Sequence, residues 1–285
     1  MTWFEETLHS ETIDVGYAQR FRITKVIHQE KTDFQDLMIF ETPAFGKVLA
    51  LDGVIQTTDG DEFIYHEMIT HVPMLAHGDA KRVLIVGGGD GGVLREVLRY
   101  PVDRVVTVEI DGGVVQACKA HMPNISAGAF DDPRAELLIA DGIKFAAETD
   151  EAFDVIIVDS TDPVGPGEVL FTDAFYADCK RIMNPGGILI TQSGVPYLQG
   201  SEVTDGYNRL KPHFADVSFF VIAVPTYTGG FMTLGWASDD PRLRGQPQVD
   251  IAERYAAARL RTRYYTPELH VAAFALPPFI SQLMG

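Results

Sequence analysis

Cysteine is scarce in this chain of 285 residues: only Cys118 and Cys179 occur, far apart and in no C-x-x-C pair. That argues against a disulfide framework or a cysteine metal cluster and fits reduced packing thiols of a cytoplasmic protein. Basic residues are few as well, 23 Lys and Arg against 40 Asp and Glu, a net charge of −17. Nucleic-acid binding depends on basic patches that displace counterions, so this balance argues against it. It favours cationic partners. No apolar run is long enough to span a bilayer. The start, Met1-Thr2-Trp3-Phe4-Glu5-Glu6, lacks the basic and apolar regions of a signal peptide. Internal repeats, low-complexity tracts and long linkers are also missing, which leaves a cytoplasmic globular protein as the expectation.

What is present organises into two units. With 46% hydrophobic and 22% charged residues the chain is globular. From about Tyr17 to Thr58 apolar and polar positions alternate, as in Phe21-Arg22-Ile23-Thr24-Lys25-Val26, with turn signals at Thr42-Pro43 and Asp52-Gly53. A helix over about 61–75 links this β unit to a boundary placed at residues 77–80. The expectation is a small N-terminal all-β domain with its linking helix over 1–77 and a larger α/β domain over 78–285. In the second, strands at 83–86, 104–109, 135–139, 154–159 and 187–191 are joined by helices at 92–99, 111–121 and 172–183. That order predicts right-handed crossovers and a doubly wound parallel sheet. Strands near 217–224 and 231–237 add an antiparallel edge.

The run Val83-Leu84-Ile85-Val86 followed by Gly87-Gly88-Gly89-Asp90-Gly91-Gly92 reads as strand, glycine turn, helix. Residues such as Gly87 and Gly89, without a Cβ, let the backbone turn tightly and approach a ligand. The next strand ends at Glu109, 20 residues after Gly89, where a carboxylate can accept hydrogen bonds from ribose hydroxyls. The glycines alone do not separate a nicotinamide cofactor from an adenosyl sulfonium one. Asp90, inside the turn, would repel a pyrophosphate and equally the amino-acid carboxylate of S-adenosylmethionine. It suits a free ammonium, and so the decarboxylated form of that donor.

Further acids stand at strand ends. Asp159-Ser160-Thr161-Asp162-Pro163-Val164-Gly165-Pro166-Gly167 follows Val155-Ile156-Ile157-Val158, so Asp159 and Asp162 should face the crevice beyond an open sheet, unless the stretch is a turn with a helix cap. Asp141-Gly142, after Leu137-Leu138-Ile139-Ala140, suits either an adenine amino group or a helix cap. His66 and His71 are five residues apart, about 140° around a helix, which disfavours joint metal binding. Tyr65 and His66 either line the crevice or pack. Gln35, read from its neighbours alone, is a polar hairpin residue.

Several collinear segments resemble spermidine synthases, most closely the bacterial type: Leu51-Asp52-Gly53-Val54-Ile55-Gln56-Thr57-Thr58, residues 61–68, the Gly87 to Gly92 loop, Val108-Glu109-Ile110-Asp111, the Asp159 to Gly167 loop, Pro225-Thr226-Tyr227, Arg263-Tyr264-Tyr265 and residues 272–277. The resemblance spans nearly the whole chain. It implies an N-terminal β domain, a Rossmann-like methyltransferase-type domain, and aminopropyl transfer from decarboxylated S-adenosylmethionine to putrescine, with a homodimer or homotetramer as the assembly. Carried over by position, it assigns Gln35, Glu109, Asp141, Gly142 and Pro166, beside Gly87 and Gly89, to the nucleoside. Tyr65, His66, Asp90, Asp159, Ser160, Thr161, Asp162, Gln192 and Tyr227 fall on the polyamine side. Asp159 is the expected base, because an alkyl ammonium with a pKa near that of Lys, about 10.4, has no lone pair for attack. The sulfonium already provides a good leaving group, so no metal and no prosthetic group are required. A putrescine N-methyltransferase, an aminopropyltransferase for cadaverine or spermidine, and a noncatalytic polyamine-binding protein are the alternatives.

Overall fold

The structure, a computed structural model, describes residues 1–7, 16–161 and 170–285. An antiparallel pair, β1 (Thr2–Thr7) and β2 (Ala18–Ile23), precedes a four-stranded antiparallel meander of β3 (Lys25–Lys31), β4 (Asp36–Thr42), β5 (Gly46–Leu51) and β6 (Val54–Thr58). Helix α1 (Glu62–His77) follows, then the alternating part: β7 (Arg82–Gly87), α2 (Gly92–Val97), β8 (Arg104–Glu109), α3 (Gly112–His121), α4 (Pro123–Ser126), β9 (Ala135–Ile139), α5 (Gly142–Glu148), β10 (Phe153–Asp159), α6 (Asp173–Arg181) and β11 (Met183–Gln192). The chain closes with α7 (Gly200–Leu210), β12 (Asp216–Ile222), β13 (Met232–Ser238), α8 (Gln248–Ala257), α9 (Pro267–Ala273) and α10 (Pro278–Ser281).

Seven strands form one sheet in the order β12-β13-β11-β10-β7-β8-β9. The pairs from β11 to β9 are parallel, while β13 runs antiparallel to both β11 and β12. This is the expected doubly wound sheet with its antiparallel edge. Alternate residues of each strand point to opposite faces. Val83, Ile85, Val155 and Ile157 meet Met68, Ile69 and Val72 of α1 on one face. Leu84, Val86, Ile156 and Val158 meet Phe175, Tyr176 and Cys179 of α6 on the other. Both faces are therefore covered, which explains why these strands are continuously apolar.

The meander is fastened to the α/β layer by its own core. Leu37, Ile39, Leu49 and Leu51 pack against Val114, Ala117 and Cys118 of α3, and against Met122 and Ile125. Its opposite face takes Phe4 and Phe21 of the N-terminal pair. α1, read from the sequence as a linking helix, lies against α2 and strands β10 to β12. Asp61 ties its start: the carboxylate accepts from the Thr58 hydroxyl (2.6 Å) and from the backbone amide and hydroxyl of Thr226 (2.9 and 2.8 Å).

Differences from the expected elements are local. β1 was not foreseen, since Thr2-Trp3-Phe4-Glu5-Glu6-Thr7 lacks clear alternation. The crossover α5 was missed because its seven residues, Gly-Ile-Lys-Phe-Ala-Ala-Glu, carry too little apolar periodicity to stand out. α7, α8 and α9 were likewise not read, being short and polar on their outer faces. No helix among the described residues is long and apolar enough to cross a membrane.

Truncating Ile157, fully buried at the centre of β10, to Ala is expected to cost about 2–5 kcal/mol. Urea unfolding checks this: the midpoint should fall at unchanged slope, and an unmoved midpoint would contradict the packing described.

Candidate active site

The strand order reverses between β7 and β10, so their carboxyl ends open onto a shared crevice. Asp159 pairs with Gly87 at the last rung of the ladder, and the Gly88 amide donates to the Asp159 carbonyl (2.9 Å). Gly87 has φ +85°, and a Cβ there would strike that same carbonyl oxygen. Only glycine lets the two strand ends close this tightly. At Gly89 a Cβ would come 3.0 Å from Glu109 Oε2, so the turn runs directly over that carboxylate.

The crevice is a cavity of about 200 Å³. Its described walls carry the carboxylates of Glu6, Asp90, Glu109, Asp141 and Asp159, with His66 the one basic side chain and no Lys or Arg. Tyr65, from α1, donates its hydroxyl to Asp159 Oδ1 at 2.7 Å. Burial and then the charge of Asp90 push the Asp159 carboxyl up to about 6, against the opposing effects of His66 and the Tyr65 hydroxyl. Burial and the neighbouring charges of Asp111 and Asp159 likewise push Glu109 up to about 7, although the Asp111 amide donates to it at 2.8 Å.

One imidazole sits among these acids. His66 places Nδ1 2.5 Å from Glu62 and Nε2 3.3 Å from Asp90. Burial opposes its charge, yet the two carboxylates win and push His66 up to about 10. Asp90 and Glu62 are correspondingly held below the usual carboxylate range, in spite of their own burial. Arg95 completes the set, donating to Glu62 at 3.0 and 3.3 Å. Asp90 also turns back to accept from the Gly92 amide (2.8 Å), which occupies a donor that a phosphate-binding turn would leave open. Ligand atoms of His66, Asp90 and Asp159 lie within 4.8 Å of one another. With two carboxylates against one imidazole the cluster is acidic on balance, which suits a cationic group.

The Spermine/spermidine synthase domain matches residues 62–247, and the Spermidine synthase tetramerisation domain matches residues 2–59. The chain belongs to the spermidine synthase family. Curated relatives agree: the polyamine aminopropyltransferases of Salmonella arizonae and Salmonella schwarzengrund are 54% and 55% identical over 282 residues, 99% of each chain. Among solved structures, a spermidine synthase in complex with the transition state analogue AdoDATO matches with a TM-score of 0.92 at 37% identity, covering 99% of this chain and 94% of that one. The spermidine synthase from Thermotoga maritima matches at 0.89 and 35%, with the same coverage.

Within this family frame, most residues singled out from the sequence meet at one cavity. Gln35, Tyr65, His66, Gly87, Gly89, Asp90, Glu109, Asp141, Gly142, Asp159, Ser160, Thr161, Gln192 and Tyr227 all line it. Asp162 and Pro166 lie outside the described residues. Asp141 is a helix cap, its Oδ1 accepting from the amides of Ile143 (2.8 Å) and Lys144 (3.3 Å) at the start of α5, and the residue also borders the cavity. Gln35 is no plain hairpin residue: its Nε2 donates to Asp111 Oδ2 at 2.9 Å, beside the Thr32 hydroxyl at 2.7 Å, which brings the β3–β4 turn to the cavity rim. Tyr227 donates to the Gln56 carbonyl (2.7 Å) and sets its ring edge-on to Tyr65.

Sequence reasoning missed Glu6, Glu62 and Arg95. Glu62 was findable, standing four residues before His66 on one helix face. Glu6 carried no local signal: its carboxylate is buried where β1 meets β6, accepts from the Ile55 amide (2.7 Å) and from Gln19, and reaches the cavity only through that packing.

Asp159 binds its proton more tightly folded than unfolded, so its contribution to stability declines as pH rises from about 4 to about 6. Asp159→Asn should therefore stabilise the empty protein at neutral pH by on the order of 1–3 kcal/mol and by nothing near pH 4. Thermal unfolding of both proteins at the two pH values checks this; an equal effect at both would deny the crowding of charge.

Proposed function

We propose that this chain transfers the aminopropyl group of decarboxylated S-adenosylmethionine to putrescine, giving spermidine and 5′-methylthioadenosine. The observation that carries this reading is Asp159 held by the Tyr65 hydroxyl beside Asp90 and His66 at the end of β10, in a cavity walled by acids. Glu109, Gln35, Asp141, Gly142, Gly87 and Gly89 border the part suited to the nucleoside, with Pro166 assigned there by family position. Asp90 and His66 receive the aminopropyl arm, whose ammonium the Asp90 carboxylate attracts. The same charge repels the amino-acid carboxylate of ordinary S-adenosylmethionine.

Putrescine enters as a dication. Asp159 takes one proton and, with Tyr65, holds the freed nitrogen in line with the carbon next to sulfur. The new N–C bond forms as the C–S bond breaks. Its electron pair stays on sulfur, turning the sulfonium into a neutral thioether, and the nitrogen becomes a secondary ammonium, the form an alkyl amine keeps at neutral pH. A base near 6 is a better acceptor than an ordinary carboxylate, and burial, with the charge of Asp90 added to it, is what raises it. Gln192, Ser160, Thr161 and Tyr227 line the diamine's path, Asp162 is assigned there by family position, and Glu6 offers a second carboxylate for the far ammonium. In the same reading the N-terminal unit joins copies into a homodimer or homotetramer, and the enzyme works in the cytoplasm.

Mass spectrometry of reactions with putrescine and either sulfonium donor should find spermidine and methylthioadenosine from the decarboxylated donor alone. Methylputrescine from the ordinary donor would replace the reading with methyl transfer, and binding without any product would leave only a polyamine-binding protein. Asp159→Asn should lower turnover by about 10²-fold or more while leaving methylthioadenosine affinity in place. Near-normal turnover would remove it from the base role.

Asp90→Asn should weaken the decarboxylated donor about tenfold or more, and methylthioadenosine, which lacks the ammonium, far less. Calorimetric titration of both ligands decides: equal weakening would deny the ammonium contact.

A further inference from the structure

Arg263-Tyr264-Tyr265 lies beyond the matched synthase domain, on no wall of the cavity, yet it grips the helix that carries Tyr65 and His66. Glu67, almost fully buried, accepts three successive backbone amides: Arg263 on Oε1 and Tyr264 and Tyr265 on Oε2, each at 2.8 Å. One turn earlier, the Arg263 guanidinium stacks 3.7 Å over the ring of Phe63. One turn later, the buried ring of Tyr265 meets His71 edge-on. Phe63, Glu67 and His71 are spaced at i, i+4, i+8 and make one stripe along α1. Next to the segment, the Arg261 carbonyl accepts from Arg99 at 2.7 Å, which ties the same strap to the end of α2.

The other side of α1 faces the chemistry. Tyr65 stands roughly 160° around the helix from Glu67, and its hydroxyl makes the 2.7 Å bond to Asp159. Downstream, Pro73 has no amide to continue the helix ladder. The first half of α1 is held by the packing of Met68 and Ile69 on the sheet, by the Glu62–Arg95 and His66–Asp90 pairs, and by two further grips, Asp61 at its start and Glu67 in its second turn. Three charge-assisted hydrogen bonds offset the cost of burying the carboxylate and aim it in one direction. A slide or rotation of the helix by about 1 Å would stretch the Tyr65 bond past hydrogen-bonding range.

We infer that Glu67 is a positioning residue for aminopropyl transfer: by gripping the 263–265 backbone it sets the height and rotation of α1, and so keeps the Tyr65 hydroxyl on Asp159. This inference rests on the aminopropyl-transfer reading. Glu67 touches no substrate and acts only through Tyr65. Asp159 is faced by Tyr65 and His66 from α1, by Asp90 from the turn after β7 and by Glu109 from the end of β8. Of these, the charge of His66 and then the Tyr65 bond favour the ionised form of Asp159, and only the Tyr65 bond depends on hydrogen-bond contact. Losing it moves the acid limb of activity to higher pH.

The test is the pH profile of kcat/KM for putrescine, at saturating decarboxylated donor, for wild type, Glu67→Gln, Glu67→Asp, Tyr65→Phe and the Glu67→Gln, Tyr65→Phe double variant. Gln keeps the volume but sets an NH₂ against at least one of the three amide donors. The expected result is a fall in kcat of about tenfold or more for Glu67→Gln, with an acid limb moved to higher pH. Methylthioadenosine affinity should stay within about twofold, and the double variant should be no worse than Tyr65→Phe. Glu67→Asp, which keeps the charge on a shorter arm, should recover part of the loss. Losses that multiply in the double variant, with the acid limb where wild type has it, would make Glu67 a stability residue and overturn the inference. Should Glu67→Gln not fold, Glu67→Asp decides by the same comparison. Wild type that makes no spermidine sinks the aminopropyl-transfer reading and this inference with it; active wild type with multiplying losses sinks this inference alone.

Discussion

Mutual repulsion among Asp90, Glu109 and Asp159, brought together at the ends of neighbouring parallel strands, constrains everything around the cavity. The three cannot move apart, because Gly87 and Gly88 are bonded to the backbone of Asp159 and Gly89 passes directly over Glu109. The charge is instead spread through a buried series of alternating sign. Asp90 meets His66, His66 meets Glu62, Glu62 meets Arg95, and Arg95 meets Glu96, which Arg99 closes near the surface. Asp90, His66, Glu62 and Glu96 are held in their ionised forms by their neighbours, His71 adding to the hold on Glu96, which is how charges survive where burial alone would neutralise them. Asp159, outside this series, is left with a hydroxyl as its described side-chain partner and keeps a raised proton affinity.

This arrangement needs both parts of the chain. The α/β sheet supplies the carboxylates at its strand ends, but the cavity is closed by residues from the β unit: Gln35 on the β3–β4 turn, Gln56 on β6, and Glu6 from the N-terminal strand. The meander stays in place because its apolar face shares a core with α3, and Asp111, capping that helix, also receives Gln35 and Thr32. A helix cap thus doubles as the joint between a cavity-lining side chain, Gln35, and the strand that ends in Glu109.

The parallel core was legible because its signals are local: four apolar residues, a glycine turn, then a helix, repeated with an acid at the next strand end. Asp159, Glu109 and Asp90 could be picked out by the same logic, since strand ends in such a sheet face a crevice. What stayed hidden depends on tertiary placement. Glu6 is held by the amide of Ile55, 49 residues on, and Glu67 is satisfied by amides nearly 200 residues away. Neither distance leaves a trace in periodicity. α5 was hidden for a different reason, its shortness, although two parallel strands in succession demand a crossover between them.

The acid-lined cavity also bears on how long the molecule lasts. Its charges are balanced fully only when a cationic ligand is inside, so occupancy adds to folding stability by mass action. Proteases in a cell draw on the unfolded fraction, and a change of about 1–2 kcal/mol in stability alters abundance several-fold. A copy with an empty cavity therefore spends a larger fraction of its time unfolded, and so open to proteolysis, than an occupied one.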